Sequence, residues 1–336
     1  MTRRAAPAPA TDPTVLRVRE PGDILGIVPY LLGFHPSESL VVAFVRDRRI
    51  AVTARIDLAA TADLEGLLDQ LEPVSEQVGS RSVMMIGYSA DDSVRGLVRD
   101  LVDLVPWDVL DALAVTGGRW WSVCCEGDQL PGPGPVACCP PEGRPYDVAS
   151  HPLAAEAVLA GISATATRDE IAALAAGPPA ADHDRLRRLA ADSADRLAGC
   201  GGRRRRHRMR RLVERVLRAG SASEAESVEL AVLARDVAVR DVAWALMTRP
   251  AAAEHLELWR RVVAVAVPPY DPAPLGMLAI AGWLSGNGAL LNCCIERLEQ
   301  VDPDYSLLWL CRDISDQAIP PRQFDSLASE LRELLR

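Results

Sequence analysis

The run Leu40-Val41-Val42-Ala43-Phe44-Val45 has no polar residue on either of its alternating faces. A strand of that kind is buried on both sides, so it lies inside a sheet. The stretch before it, Gly33-Phe34-His35-Pro36-Ser37-Glu38-Ser39, gathers polar groups where the strand begins. Residues 26–45 therefore set the frame into which the neighbouring elements fit.

Before this frame, residues 15–18 read as a short edge strand. Pro21-Gly22-Asp23 opens a helix with Asp23 as cap and Gly33 as stop. Pro29 should kink that helix. After it, Arg46-Asp47-Arg48-Arg49 is a charged turn, and residues 50–57 form the next strand. So short a turn makes the two strands an antiparallel hairpin. In the second strand Ile50, Val52, Ala54 and Ile56 face one way, and Thr53, Arg55 and Asp57 the other. A face carrying Arg55 and Asp57 is either an exposed ion pair or part of a site.

Leu64, Leu67, Leu68 and Leu71 form one stripe of an amphipathic helix, which Pro73 ends or bends. Residues 82–88 (SVMMIGY) are a second buried strand. A helix capped by Asp92 or Ser93 follows, then a strand over 109–115, a Gly117-Gly118 turn and a return strand from Trp120. Strands alternating with helices imply parallel pairing through right-handed crossovers. Strand direction then brings the 35–39 loop, Asp57, Ser89 and Arg119 to one end of the sheet. Ligands of open α/β sheets bind outside the carboxyl ends of strands, so that end is the expected site.

Beyond a Pro- and Gly-rich loop, residues 151–161 and 168–176 read as helices, the second opened by the capping box Thr167-Arg168-Asp169-Glu170. Residues 177–208 read as a linker with one amphipathic segment. Helical segments near 224–235, 239–247, 251–266, 274–285, 289–300, 305–317 and 323–335 follow, divided by Pro, Gly or Asp-Pro. The expected fold is thus an α/β N-terminal domain, a mixed sheet with crossover helices, followed by an all-α helical-array domain. The boundaries are a disordered tail over 1–14, the α/β domain over 15–150, and the helical domain over 151–336 with its linker near 177–208.

Net charge is −9, which argues against a surface that coats nucleic acid generally. The chain has no Lys; every basic residue is Arg, a pattern better explained by coding bias than by function. Its start has two Arg but no apolar core of a secretory signal. The charge-free stretch 272–295 is long enough to suggest a membrane span, but Gly286-Asn287-Gly288 interrupts it with turn chemistry. Two short buried helices are the expectation there, and the protein is expected to be cytoplasmic. In that compartment its eight Cys should be thiols or metal ligands, not disulfides.

Several segments together resemble a known family. They are Val28-Pro29-Tyr30-Leu31-Leu32-Gly33-Phe34-His35-Pro36, Ser39-Leu40-Val41-Val42, Arg55-Ile56-Asp57-Leu58, Gly118-Arg119-Trp120-Trp121-Ser122, Cys138-Cys139-Pro140-Pro141-Glu142-Gly143, Gly286-Asn287-Gly288-Ala289 and Asp302-Pro303-Asp304-Tyr305. Across most of its length the chain resembles the actinobacterial domain of unknown function family 4192. The resemblance implies no activity and supplies no catalytic residues. Residues 129–136 look inserted relative to the family pattern.

The candidate ligand-binding set is His35, Ser37, Ser39, Arg55, Asp57, Ser89 and Arg119. His35, Ser39 and Asp57 could supply a base, a nucleophile and an orienting carboxylate, the parts of a hydrolase-type enzyme. No nucleophile elbow, P-loop or dinucleotide fingerprint accompanies them, and Pro36 beside His35 reads equally well as a rigid turn. Cys124, Cys125, Cys138 and Cys139 could hold a zinc ion, although adjacent cysteines diverge where zinc sites use wider spacing. Cys293, Cys294 and Cys311 lie in apolar helices and read as core residues. Arg203, Arg204, Arg205, Arg206, Arg208, Arg210 and Arg211 are the densest charge run, able to dock nucleic acid or an acidic partner, or simply to solvate a linker. The favoured function is a non-enzymatic module that binds a small ligand or a protein. The alternatives are the hydrolase-type enzyme and weak nucleic-acid association through 203–211.

Overall fold

Strand β1 (Ser39–Arg46) is buried along its first six residues, as an uninterrupted apolar run requires. The computed structural model of the chain describes residues 17–123, 140–160, 162 and 164–324. Strand β1 sits between β2 (Arg49–Asp57) and β3 (Ser82–Tyr88) and is antiparallel to both. Strands β2 and β3 thus point the same way with β1 between them. Strand β4 (Asp108–Thr116) runs parallel to β3, and β5 (Arg119–Ser122) and the two-residue β6 (Arg144–Pro145) complete the order β2-β1-β3-β4-β5-β6.

The β1–β2 turn is formed by Asp47 and Arg48, both at positive φ (51° and 59°), the backbone that matches the twist of a two-residue hairpin. One irregularity changes the expected facing of β2. Phe44 pairs with Val52 but Val45 pairs with Ile50, so Ala51 is extra. This bulge turns Ile50 to the opposite face from Val52, Ala54 and Ile56.

Helices α2 (Leu64–Val78) and α3 (Val94–Leu104) cover one face of the sheet, over Leu40, Val42, Phe44, Met85, Ala112 and Ala114. Helix α2 does not stop at Pro73. It runs on to Gly79, a left-handed cap with φ 63°. Pro73 lies on the exposed side of the helix, where water can satisfy the carbonyl that its missing N–H leaves unpaired. Close approach of α3 depends on Gly87: a Cβ there would lie 2.5 Å from Val98 Cγ2 and 2.6 Å from Val94 Cγ2.

The other face carries Val41, Ala43, Ile86, Tyr88, Leu113, Val115 and Trp120, against which α1 (Pro21–Leu32) is laid. Asp23 serves α1 from its third position, where its carboxylate accepts the backbone N–H of Arg19 (2.7 Å) and Glu20 (3.2 Å). Arg17 and Val18 lie in no strand, so the expected edge strand is not formed by its described residues.

The helices α4 (Pro152–Leu159), α5 (Arg168–Ala173), α6 (His183–Ala198), α7 (Gly202–Ala219), α8 (Glu224–Ala234), α9 (Val237–Ala245), α10 (Ala252–Val263), α11 (Pro272–Leu284), α12 (Gly288–Val301) and α13 (Ser306–Asp316) follow. The charge-free stretch is α11 and the first half of α12, joined by a turn in which Gly286 has φ 80°. No helix among the described residues is long and apolar enough to cross a membrane. The expected linker over 177–208 holds α6 and the start of α7. Their buried stripes, Leu186-Ala190-Ser193 and Met209-Leu212-Val213-Val216, are short beside the many Arg and Asp of the same segment. The segment expected near 323–335 falls almost wholly outside the described residues, as do the tail over 1–14 and the Cys pairs.

A single apolar cluster runs from the sheet through α1 and α5 into α7–α13. Within it Arg240, 3% exposed, bonds the Asp241 carboxylate at 2.8 and 3.0 Å and donates to the Tyr305 hydroxyl at 2.9 Å. A buried cation so paired ties α9 to the Asp302-Pro303-Asp304-Tyr305 segment.

Candidate ligand-binding cleft

Strand register brings the candidate residues to one end of the sheet. Ser39 pairs with Asp57 and with Tyr88, Tyr88 with Val115, and Thr116 with Arg119. They do not converge there. Four strand spacings separate β2 from β5, about 19 Å. Arg119 donates to the carbonyls of Glu142 and Gly143 (2.8 Å to the latter), which holds that loop. Arg55 is spent on Asp57, at 2.6 Å, and reaches the Ser37 carbonyl only at 3.5 Å.

The organiser of this end is Glu38, whose signal in the sequence is only its place in a polar loop. Its carboxylate accepts the Ser89 hydroxyl (2.9 Å) and the Ala90 N–H (2.7 Å). The Ser39 hydroxyl is fully buried and has no hydrogen-bond partner, so none joins it to His35 or Asp57. The His35 side chain is exposed, while its backbone N–H donates to the Thr165 carbonyl (3.2 Å). The hydroxyl–imidazole contact of a nucleophilic site is therefore not formed here.

Two segments that carried the family resemblance, at Trp121 and at Pro141–Gly143, hold each other, and a third, at Gly33, is held by Thr165. Thr165 N–H donates to the Gly33 carbonyl (2.8 Å), and a Cβ on Gly33 would meet the Asn287 side chain at 3.8 Å. Asn287 in turn caps α12 through the Leu290 N–H (2.9 Å). The Trp121 indole donates to the Pro141 carbonyl (3.1 Å), and Gly143, at φ 74°, lies under the Trp121 ring, where any Cβ would overlap it.

A cleft of about 450 Å³ opens on the α1 face, between α1, the β5–β6 edge and the start of α4. Its floor exists because Gly22 and Gly26, four residues apart, leave α1 without side chains there. The Trp120 ring lies against Gly22, and the His151 imidazole lies against Gly26. His151 caps α4: its Nδ1 accepts the Leu153 N–H (3.3 Å). That bond assigns the ring proton to Nε2, which faces Asp23 Oδ1 at 3.5 Å.

The remaining wall is aromatic and charged. The Arg144 guanidinium stands 5.6 Å from the centre of the Trp120 ring. Tyr146 meets Tyr88 edge to face, with centroids 6.1 Å apart. Burial pushes the Tyr146 hydroxyl up to about 12 and raises Tyr88 well above its ordinary value, so both stay protonated phenols across the physiological range. Glu20 and Asp147 complete the rim. The cleft can thus stack a flat or apolar body and offer charges of both signs to a polar head.

Sequence reasoning placed His151 at a helix start without linking it to Asp23. The paired glycines of α1 were the available signal. Among the described residues no group of three or more His, Cys, Asp or Glu is placed to hold a metal ion. The zinc candidates Cys124, Cys125, Cys138 and Cys139 lie outside the described residues. Cys293, Cys294 and Cys311 are buried core thiols, and burial pushes Cys311 up to about 12.

A family model described as Domain of unknown function (DUF4192) matches residues 21–322. No curated protein and no solved structure matches the chain.

Proposed function

The chain belongs to this domain of unknown function family, and from its geometry we propose that it is a non-enzymatic cytoplasmic binding protein for a small ligand. The ligand combines an aromatic or apolar body with a polar head and occupies the cleft beside α1. The observation that carries this is the floor of Gly22 and Gly26 under the Trp120 and His151 rings. A volume of about 450 Å³ suits a small molecule, and the wall has the usual mixture of apolar surface with a few placed polar groups. The seven sheet-end candidates remain a second polar surface, but their polar groups are spent on loops, on one another or stand apart. A hydrolase-type activity would need Ser39 to reach a base, and its hydroxyl is buried without a partner.

Ligand-observed NMR of a small-molecule library against the wild type and Arg144→Ala tests the proposal. Arg144 is exposed, so its loss should leave the melting temperature unchanged. Compounds that bind the wild type should weaken about tenfold in the variant, the equivalent of about 1.4 kcal/mol. A library without binders, or binders indifferent to Arg144→Ala, would retire the cleft as the site.

A further inference from the structure

Helix α7 divides its arginines between two kinds of surrounding. Met209, Leu212, Val213 and Val216 are buried and fix its rotation. On the flanks of that stripe Arg205 pairs with Asp236 (3.4 Å), Arg208 with Glu229 (2.6 Å) and Arg215 with Glu226. On the outward arc Arg203, Arg204, Arg206, Arg210, Arg211 and Arg218 are exposed and have no ion pair among the described residues. Glu214 and His207 are the other exposed residues of this arc, and Leu217 beside them is half-buried against the core. A chain of net charge −9 has carboxylates to spare, yet it leaves six guanidinium groups unneutralised on one helix face. Such like-charge neighbours repel, at a small cost per pair, unless a polyanion covers them.

We propose that this face docks the phosphate backbone of a nucleic-acid duplex without reading its sequence. From Arg203 to Arg218 the helix rises about 22 Å, and a duplex presents a charge about every 1.7 Å of its axis, so all six can meet phosphates. Guanidinium groups suit this target because they grip phosphate oxygens with two parallel hydrogen bonds. The arc exposes no large apolar side chain to enter a bilayer, which disfavours an anionic membrane. It carries no Phe, Tyr or Trp, and its single imidazole, His207, gives successive bases no stacking platform, which disfavours a single strand. The surface is separate from the cleft beside α1.

Fluorescence anisotropy of the full chain with labelled duplexes of two unrelated sequences provides the test. Both should bind equally, and log K should fall against log salt with a slope of about −5, for about six phosphates neutralised. Two triple variants, to Gln at Arg203, Arg206 and Arg210 or at Arg204, Arg211 and Arg218, should each lower that slope by about half while circular dichroism and melting temperature hold. Arg187→Gln on α6, exposed and already paired with Asp184, should change nothing. Absence of duplex binding at low salt, a slope near zero, binding kept in both triple variants, or preference for phosphatidylserine vesicles or an acidic polypeptide over duplex would each overturn the proposal.

Discussion

Gly26 lies so close to the His151 imidazole that any Cβ on the glycine would overlap Nδ1, the atom that caps α4. The contact couples helix α1 to helix α4 and shapes the floor of the cleft. In Gly26→Ala the ring must leave its position, so α4 loses a cap and Asp23 loses its histidine. Overpacking of this kind costs about 1–3 kcal/mol, and loss of a cap about 1 kcal/mol. A urea melt should show the destabilisation. The double variant Gly26→Ala, His151→Ala removes the clash and should be more stable than Gly26→Ala alone; equal or lower stability would show that the two residues do not compete for that space.

Gly87 plays a similar part on the opposite face. A side chain there would meet Val94 and Val98 of α3 at 2.6 and 2.5 Å, and both valines are buried. Gly87→Ala should therefore cost about 1–3 kcal/mol by pushing α3 off the sheet. Val98→Ala alone opens a cavity and should also destabilise. Combined, the two changes should cost less than their sum, with a coupling of about 1 kcal/mol. Additive losses in a denaturant cycle would mean that α3 tolerates displacement.

The sheet was legible because its signals are local. The apolar run from Leu40 to Val45 marked a central strand, and the short turn after Arg46 set the hairpin, which gave the directions of β2, β3 and β4. The facing of Ile50 was not legible, since the bulge at Ala51 depends on how β1 and β2 meet. Helices α6 and α7 were hidden because long Arg side chains dominate their composition, while a handful of residues per helix turn inward. Strand direction brought Asp57, Ser89 and Arg119 to one end, but sequence spacing carries no measure of lateral separation. The His151–Asp23 pair was out of reach because its members stand 128 positions apart in the chain, a distance closed only by the tertiary fold.

Buried His255 gives the fold a pH dependence of definite sign. It lies on α10, is 0% exposed, and neither ring nitrogen has a hydrogen-bond partner. Burial lowers its pKa from 6.5 to about 4; the Leu246 carbonyl, near but outside hydrogen-bond geometry, and the Glu254 charge pull the other way without prevailing. Above pH 6.5 the ring is neutral in both the folded and the unfolded chain, and its contribution is fully present. As pH falls from 6.5 towards 4, the unfolded chain takes a proton that the folded chain refuses, so stability drops. The loss amounts to about 2 kcal/mol by pH 5 and about 3 kcal/mol by pH 4. Urea midpoints measured between pH 7 and pH 5, above the range where most carboxylates titrate, isolate the effect. His255→Met keeps an apolar side chain of similar reach without a titrating group, and its midpoint should fall less steeply over that interval than that of the wild type. Parallel curves for the two proteins would show that His255 is solvated or takes its proton in the folded state.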